Sequence, residues 1–211
     1  MLAAKEPDTE ELVERASQGD SKARQALLGR HRGRLRRMVA VRMDPRVLAR
    51  VDPSDVVQES LTEAFQNLSD YLRHRPLPFY AWLRQFAQER IQKLHRRHIH
   101  TQKRSVAREE RSALPLPEDS VMKLARRLVA QSSSPSHRLM RQEQRETVKA
   151  ALAELSARDR EVLVLRHLEQ LTTYEIASVL GISEGAVMTR HTRALERLRG
   201  LLDDERAENH S

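Results

Sequence analysis

The chain of 211 residues has no cysteine, six glycines and seven aromatic side chains. No apolar run approaches the roughly 20 residues that a membrane-spanning helix needs. Each absence closes a class of explanation. Without Cys there is no disulfide framework and no thiolate metal site, which fits a reducing cytoplasm. The opening MLAAKEPDTEELVERA lacks the apolar core of a signal peptide. A soluble, cytoplasmic protein without membrane association is therefore expected. No P-loop, glycine-rich phosphate cradle or nucleophile–base pair is evident, so neither catalysis nor a cofactor is expected.

What is present favours helix and a polyanion. Hydrophobic residues make up 39% and charged residues 32%, and Leu, Ala, Arg, Glu and Gln recur throughout. Those are strong helix formers, and the fold class they predict is all-α. The length suits one domain or two small ones. Lys and Arg exceed Asp and Glu by 38 to 30, giving a net charge of +8. Most of that excess is Arg, whose planar fork suits phosphate and guanine.

Two helical domains on a flexible tether are predicted. Residues 8–104 read as an N-terminal bundle: Asp8 caps one helix, and a second begins near Asp20 with an inward stripe of Leu27, Leu28, Leu35, Met38, Val39 and Arg42. Asp52-Pro53 opens a third. RHRPLP interrupts it, and FYAWLRQFAQERIQKLHRR resumes as helix. Residues 105–139 carry the Pro/Ser content of a linker around a short helical candidate, VMKLARRLVA. Residues 140–202 form a second unit.

That second unit contains a helix-turn-helix pattern. Thr172 and Glu175 have capping-box spacing, Gly181 supplies a tight turn, Ile182 plugs the gap and Ser183 caps the next helix. On that helix Val187, His191, Ala194, Leu195 and Leu198 share an inward face. Met188, Thr189, Thr192 and Arg193 face outward, where Arg193 is suited to guanine and the threonines to base edges. Arg190 and Arg197 suit phosphates.

Six of the seven aromatics fall between Phe65 and Phe86, followed by a basic track of Arg84, Arg90, Lys93, Arg96 and Arg97. Aromatic faces beside a cationic track can hold unstacked bases and a single-strand backbone. Phe65, Trp82 and Phe86 match inward helical spacing and are predicted to be core. Tyr71, Phe79 and Tyr80 flank the proline loop and are the predicted DNA contacts. Upstream, Asp55, Glu59 and Glu63 recur every four residues beside Gln58 and Thr62, making one helix face acidic. Three carboxylates on one helix with no Glu-x-x-His partner argue against metal. A face that avoids DNA suits a basic protein. The histidines of LHRRHIH are likewise read as neutral side chains on a basic helix, not metal ligands.

DVVQESLTEAFQNL, then FYAWLRQFAQERIQKLHRR, a Pro/Ser linker and LSARDREVLVLRHLEQLTTYEIASVLGISEGAVMTRHTRALERLR together resemble an extracytoplasmic-function sigma factor of the sigma-70 family. The resemblance implies that Asp55, Gln58, Glu59 and Thr62 dock on RNA polymerase core, at the β′ clamp, with further contacts to β. It implies that Tyr71, Phe79, Tyr80, Arg84, Arg90, Lys93, Arg96 and Arg97 recognise and hold the −10 promoter element. It places Met188, Thr189, Arg190, Thr192, Arg193 and Arg197 on the −35 element. A monomer when free, with an anti-sigma factor as a further partner, fits the same family. His191 departs from the usual Leu or Ile, which implies either a shifted recognition helix or a buried neutral imidazole. The competing reading is a response-regulator output domain that binds operator DNA through its last quarter alone; it leaves DVVQES and the aromatic cluster unexplained.

Overall fold

The computed structural model describes residues 8–99, 116–132 and 140–208. All regular structure among them is helical. The chain divides into two compact units, residues 1–102 and 103–211.

The first unit contains α1 (Thr9–Ser17), α2 (Ser21–Arg42), α3 (Pro45–Leu48), α4 (Pro53–His74) and α5 (Phe79–Ile99). Short side chains start each of the first four. The carboxylate of Asp8 accepts the Glu11 N–H, that of Asp20 the N–H groups of Lys22 and Ala23, and that of Asp52 the Ser54 N–H. These bonds satisfy donors that a helix N-terminus otherwise leaves orphaned. Gly19, at φ +93°, makes the tight α1–α2 connection that a side-chain-bearing residue strains to adopt. Helix α4 ends at Arg75 in the left-handed region, φ +42°, and the proline pair Pro76 and Pro78 prevents its continuation.

Helices α2, α4 and α5 enclose the core of this unit. The expected α2 stripe is fully realised: Leu27, Leu28, Leu35, Met38, Val39 and Arg42 are all buried, Arg42 completely. Opposite them lie Val56, Val57, Ala64 and Leu68 of α4 and Leu83, Ala87 and Ile91 of α5. Each large apolar side chain removed from water in this way contributes about 1.5–3 kcal/mol. Helix α3 is a feature that the sequence reading passed over as a basic lead-in. Asp44 caps it, and the Asp44 backbone N–H donates to His95 Nε2 on α5 at 3.2 Å.

The second unit contains α6 (Glu118–Ser132), α7 (Met140–Glu154), α8 (Ala157–Leu163), a π-helical segment (Val164–Leu168), α9 (Thr173–Leu180) and α10 (Glu184–Glu208). The expected tether thus contains a helix longer than VMKLARRLVA, and α6 packs against α7 and the π segment. Leu124 and Ala125 are fully buried, and Glu118 pairs with Lys149 at 2.7 Å. Residues 100–115 and 133–139 lie outside the described residues. No described helix is long and apolar enough to cross a membrane.

Candidate nucleic-acid interface

In the second unit the helix-turn-helix forms by the predicted local chemistry. Thr172 Oγ1 accepts the Glu175 N–H at 3.2 Å while the Glu175 carboxylate accepts the Thr172 N–H at 2.9 Å, closing a reciprocal capping box. Gly181 sits at φ +64°, and Ser183 Oγ accepts the Ala186 N–H to start α10. Ile176, Val187, Ala194 and Leu198 are buried, which fixes the rotation of α10 about its axis. Met188, at 64% exposure, then projects outward with Thr189, Thr192 and Arg193. This is the predicted base-facing set, all on one accessible surface.

Two of the six residues have additional roles. Arg190 is half-buried. Arg197 donates from its guanidinium to the buried carboxylate of Asp159 on α8 at 2.5 Å, so it ties α10 to the helix beneath as well as presenting charge. His191 lies on the inward side and approaches His167 of the π segment, Nε2 to Nε2, at 3.1 Å. Burial holds both imidazoles below the ordinary histidine pKa, His167 down to about 4 with the neighbouring His191, Arg127 and Arg166 adding to the effect. Of the two alternatives for His191, the neutral, half-buried imidazole is the one observed.

In the first unit the structure corrects the aromatic assignments. Tyr71, Phe79 and Tyr80, predicted to contact DNA, are 5%, 1% and 2% exposed. Tyr71 stacks on Trp82 at 4.5 Å between ring centroids and donates its hydroxyl to the Leu77 carbonyl at 3.0 Å. Phe79 packs against His31 and Tyr71, each at 5.3 Å, and Tyr80 lies under the Arg34 guanidinium at 3.8 Å. These rings fill the junction of α2, α4 and α5, and no face is left for a base. Arg84, predicted in the basic track, is also buried, at 3%, and donates to Gln88 Oε1. Phe65 errs in the opposite direction. Predicted as core, it is 54% exposed, because the buried stripe of α4 runs through Leu61, Ala64 and Leu68 and leaves position 65 a step outside it.

What remains accessible on α5 is Arg90, Lys93, Arg96 and Arg97, a cationic surface on one helix. On α4, Asp55, Gln58, Glu59 and Thr62 are all exposed, as the acidic-face reading requires. Phe65 lies seven residues after Gln58, two helical turns on, so it joins this face. The two surfaces meet where Arg90 pairs with Glu59. Gln58 also accepts from Arg32 of α2 at 3.1 Å. Sequence reasoning missed Phe65 as a surface residue; the available signal was its register with Gln58 and Thr62. His95 is half-buried and its pKa is lowered, by burial before all else, consistent with its Nε2 accepting the Asp44 N–H. The side chains of His98 and His100 lie outside the described set. Among the described residues no group of three or more His, Asp or Glu could hold a metal ion.

Known proteins share both units. The family described as Sigma-70, region 4, matches residues 145–198, which span α8 to α10 and part of α7. The probable RNA polymerase sigma factor RfaY of Xanthomonas campestris pv. campestris is 27% identical over 148 residues, 70% of this chain; the chain spans 33% of that relative's length. The ECF RNA polymerase sigma-E factor of Haemophilus influenzae is 26% identical over 190 residues, covering 88% of this chain and 90% of the relative. The solved structure of CnrH in complex with the cytosolic domain of CnrY matches with a TM-score of 0.51 and 26% identity, over 93% of this chain and 99% of that one. With the two helical units in matching order and the capped helix-turn-helix at the matched position, the chain belongs to the extracytoplasmic-function group of the sigma-70 family.

Proposed function

We propose that this chain directs promoter-specific transcription initiation as a subunit of RNA polymerase, with its two units acting on separate promoter elements. The exposed face of α4 carries the reading. Asp55, Gln58, Glu59 and Thr62 form an acidic, polar patch in a chain of net charge +8, and Phe65 adds an apolar anchor beside them. A charged rim steers association and sets specificity, while a desolvated aromatic supplies much of the affinity. This face docks on polymerase core, at the β′ clamp.

Arg90, Lys93, Arg96 and Arg97 of α5 hold the backbone of the −10 element. Met188, Thr189, Thr192 and Arg193 of α10 read the −35 element, with Arg190 and Arg197 on phosphates. Each unit alone makes few, salt-sensitive contacts. Joined in one chain and seated on polymerase, they act at high effective concentration. CnrH binds the cytosolic domain of CnrY, and by analogy an anti-sigma protein covering the α4 face completes the proposal.

The test is transcription in vitro from a randomised promoter library with core polymerase and the full chain. Enrichment of two sequence blocks at a fixed spacing supports the reading. Operator binding without any polymerase-dependent transcript refutes it in favour of a simple helix-turn-helix regulator.

A further inference from the structure

We propose that His167 and His191 form a two-imidazole chelating site for a divalent transition cation of borderline softness: Cu2+, Ni2+ or Zn2+. The proposal stands on this chain's own geometry and does not depend on the transcriptional reading. His167 sits on the π segment and His191 on α10, 24 positions apart in sequence, and their Nε2 atoms approach to 3.1 Å with the rings inclined by 26°. Metal–imidazole bonds run to about 2.0–2.1 Å, so two cis ligands on one ion stand about 2.9 Å apart at a right angle and about 3.4 Å apart at the tetrahedral angle. The observed separation falls between these values. Chelation therefore needs the lone pairs to turn toward a common point, with little helix movement.

The protonation state is already the ligating one. Burial keeps both rings neutral at neutral pH, and binding need not first remove a proton. The charges facing the pair are cationic: Arg127 from α6 and Arg166 from the π segment itself. Both side chains are exposed, and Arg166 is directed to the Leu171 carbonyl, so solvent screens their repulsion. With no third protein ligand among the described residues, water completes the shell. Such a donor set favours Cu2+ over Ni2+ and Zn2+. A bound ion cross-links the π segment to the helix that bears Met188, Thr189, Thr192 and Arg193, and so fixes that helix against its support.

The experiment is calorimetric titration of the full chain with Cu2+, with the electron paramagnetic resonance spectrum of the bound ion. The expected result is one equivalent bound, with hyperfine structure from two imidazole nitrogens. The apparent affinity should fall by at least about tenfold in His167→Gln and in His191→Leu, since even the loss of groups supporting a ligand costs that much. His191→Leu places an aliphatic side chain on the inward face of α10, and circular dichroism of the metal-free variants confirms that both fold. A control with His98→Asn and His100→Asn should retain the site. Absence of stoichiometric binding, binding that survives both single variants, or binding lost only in the control overturns the proposal.

Discussion

Replacing Phe79 with Ala separates a packing role from a base-stacking role. The ring is 1% exposed and touches His31, Tyr71 and Trp82 at centroid distances of 5.3, 5.3 and 5.5 Å. Truncation removes buried area and leaves a cavity walled by three rings that cannot all collapse inward, which costs about 3–5 kcal/mol. With an m value of about 2 kcal/mol per M in urea, the unfolding midpoint of the first unit falls by about 2 M. Trp82 is the sole tryptophan and stacks in the same cluster, so its fluorescence reports on this unit alone. Phe79→Leu retains much of the volume and should cost about half as much or less. If Phe79→Ala leaves the midpoint unchanged while weakening single-stranded −10 DNA by the ~1–3 kcal/mol of a lost stacking contact, the packing assignment is wrong.

Phe65→Ala should leave stability within about 0.5 kcal/mol, as for other exposed positions, yet weaken binding to core polymerase by tenfold or so, roughly the 1.4 kcal/mol of a modest interface anchor; fluorescence anisotropy of labelled chain measures it. Thr172→Ala removes one half of the capping box and should destabilise the second unit by about 1 kcal/mol, read by urea denaturation followed by circular dichroism. The His167–His191 pair makes that unit acid-sensitive. Unfolded imidazoles bind protons below about pH 6.5, whereas folded His167 does so only near 4. Between these values the unfolded state holds more protons, so the contribution is complete above about pH 6.5 and is lost as pH falls toward 4. Denaturation midpoints across that window should drop for the natural chain and flatten in His167→Gln.

The helix-turn-helix was legible because local chemistry determines it: a capping box, a left-handed glycine and a second cap lie within a dozen residues and need no distant partner. The stripe of α2 was legible for the related reason that periodicity alone separates its faces. The aromatic cluster was not, because the junction that buries Tyr71, Phe79 and Tyr80 is created by α2, some forty residues earlier in the chain. Proximity to a proline loop suggested exposure, and tertiary packing overrode it. Phe65 was misjudged through the neighbouring error of assigning every aromatic near a stripe to the stripe. The Arg197–Asp159 and Arg90–Glu59 pairs join residues 38 and 31 positions apart. The spacing of neither pair marks it in the sequence. His167 carried no signal until its partner on α10 was placed beside it.

The central claim is that the carboxylate-bearing face of α4 grips the polymerase. Its direct test is the affinity of the full chain for core polymerase, compared with that of the Asp55→Arg/Glu59→Arg variant. Both positions are exposed, and unchanged Trp82 emission certifies the fold. The account predicts a loss of tenfold or more with charge reversal. Equal affinity of the two chains contradicts it.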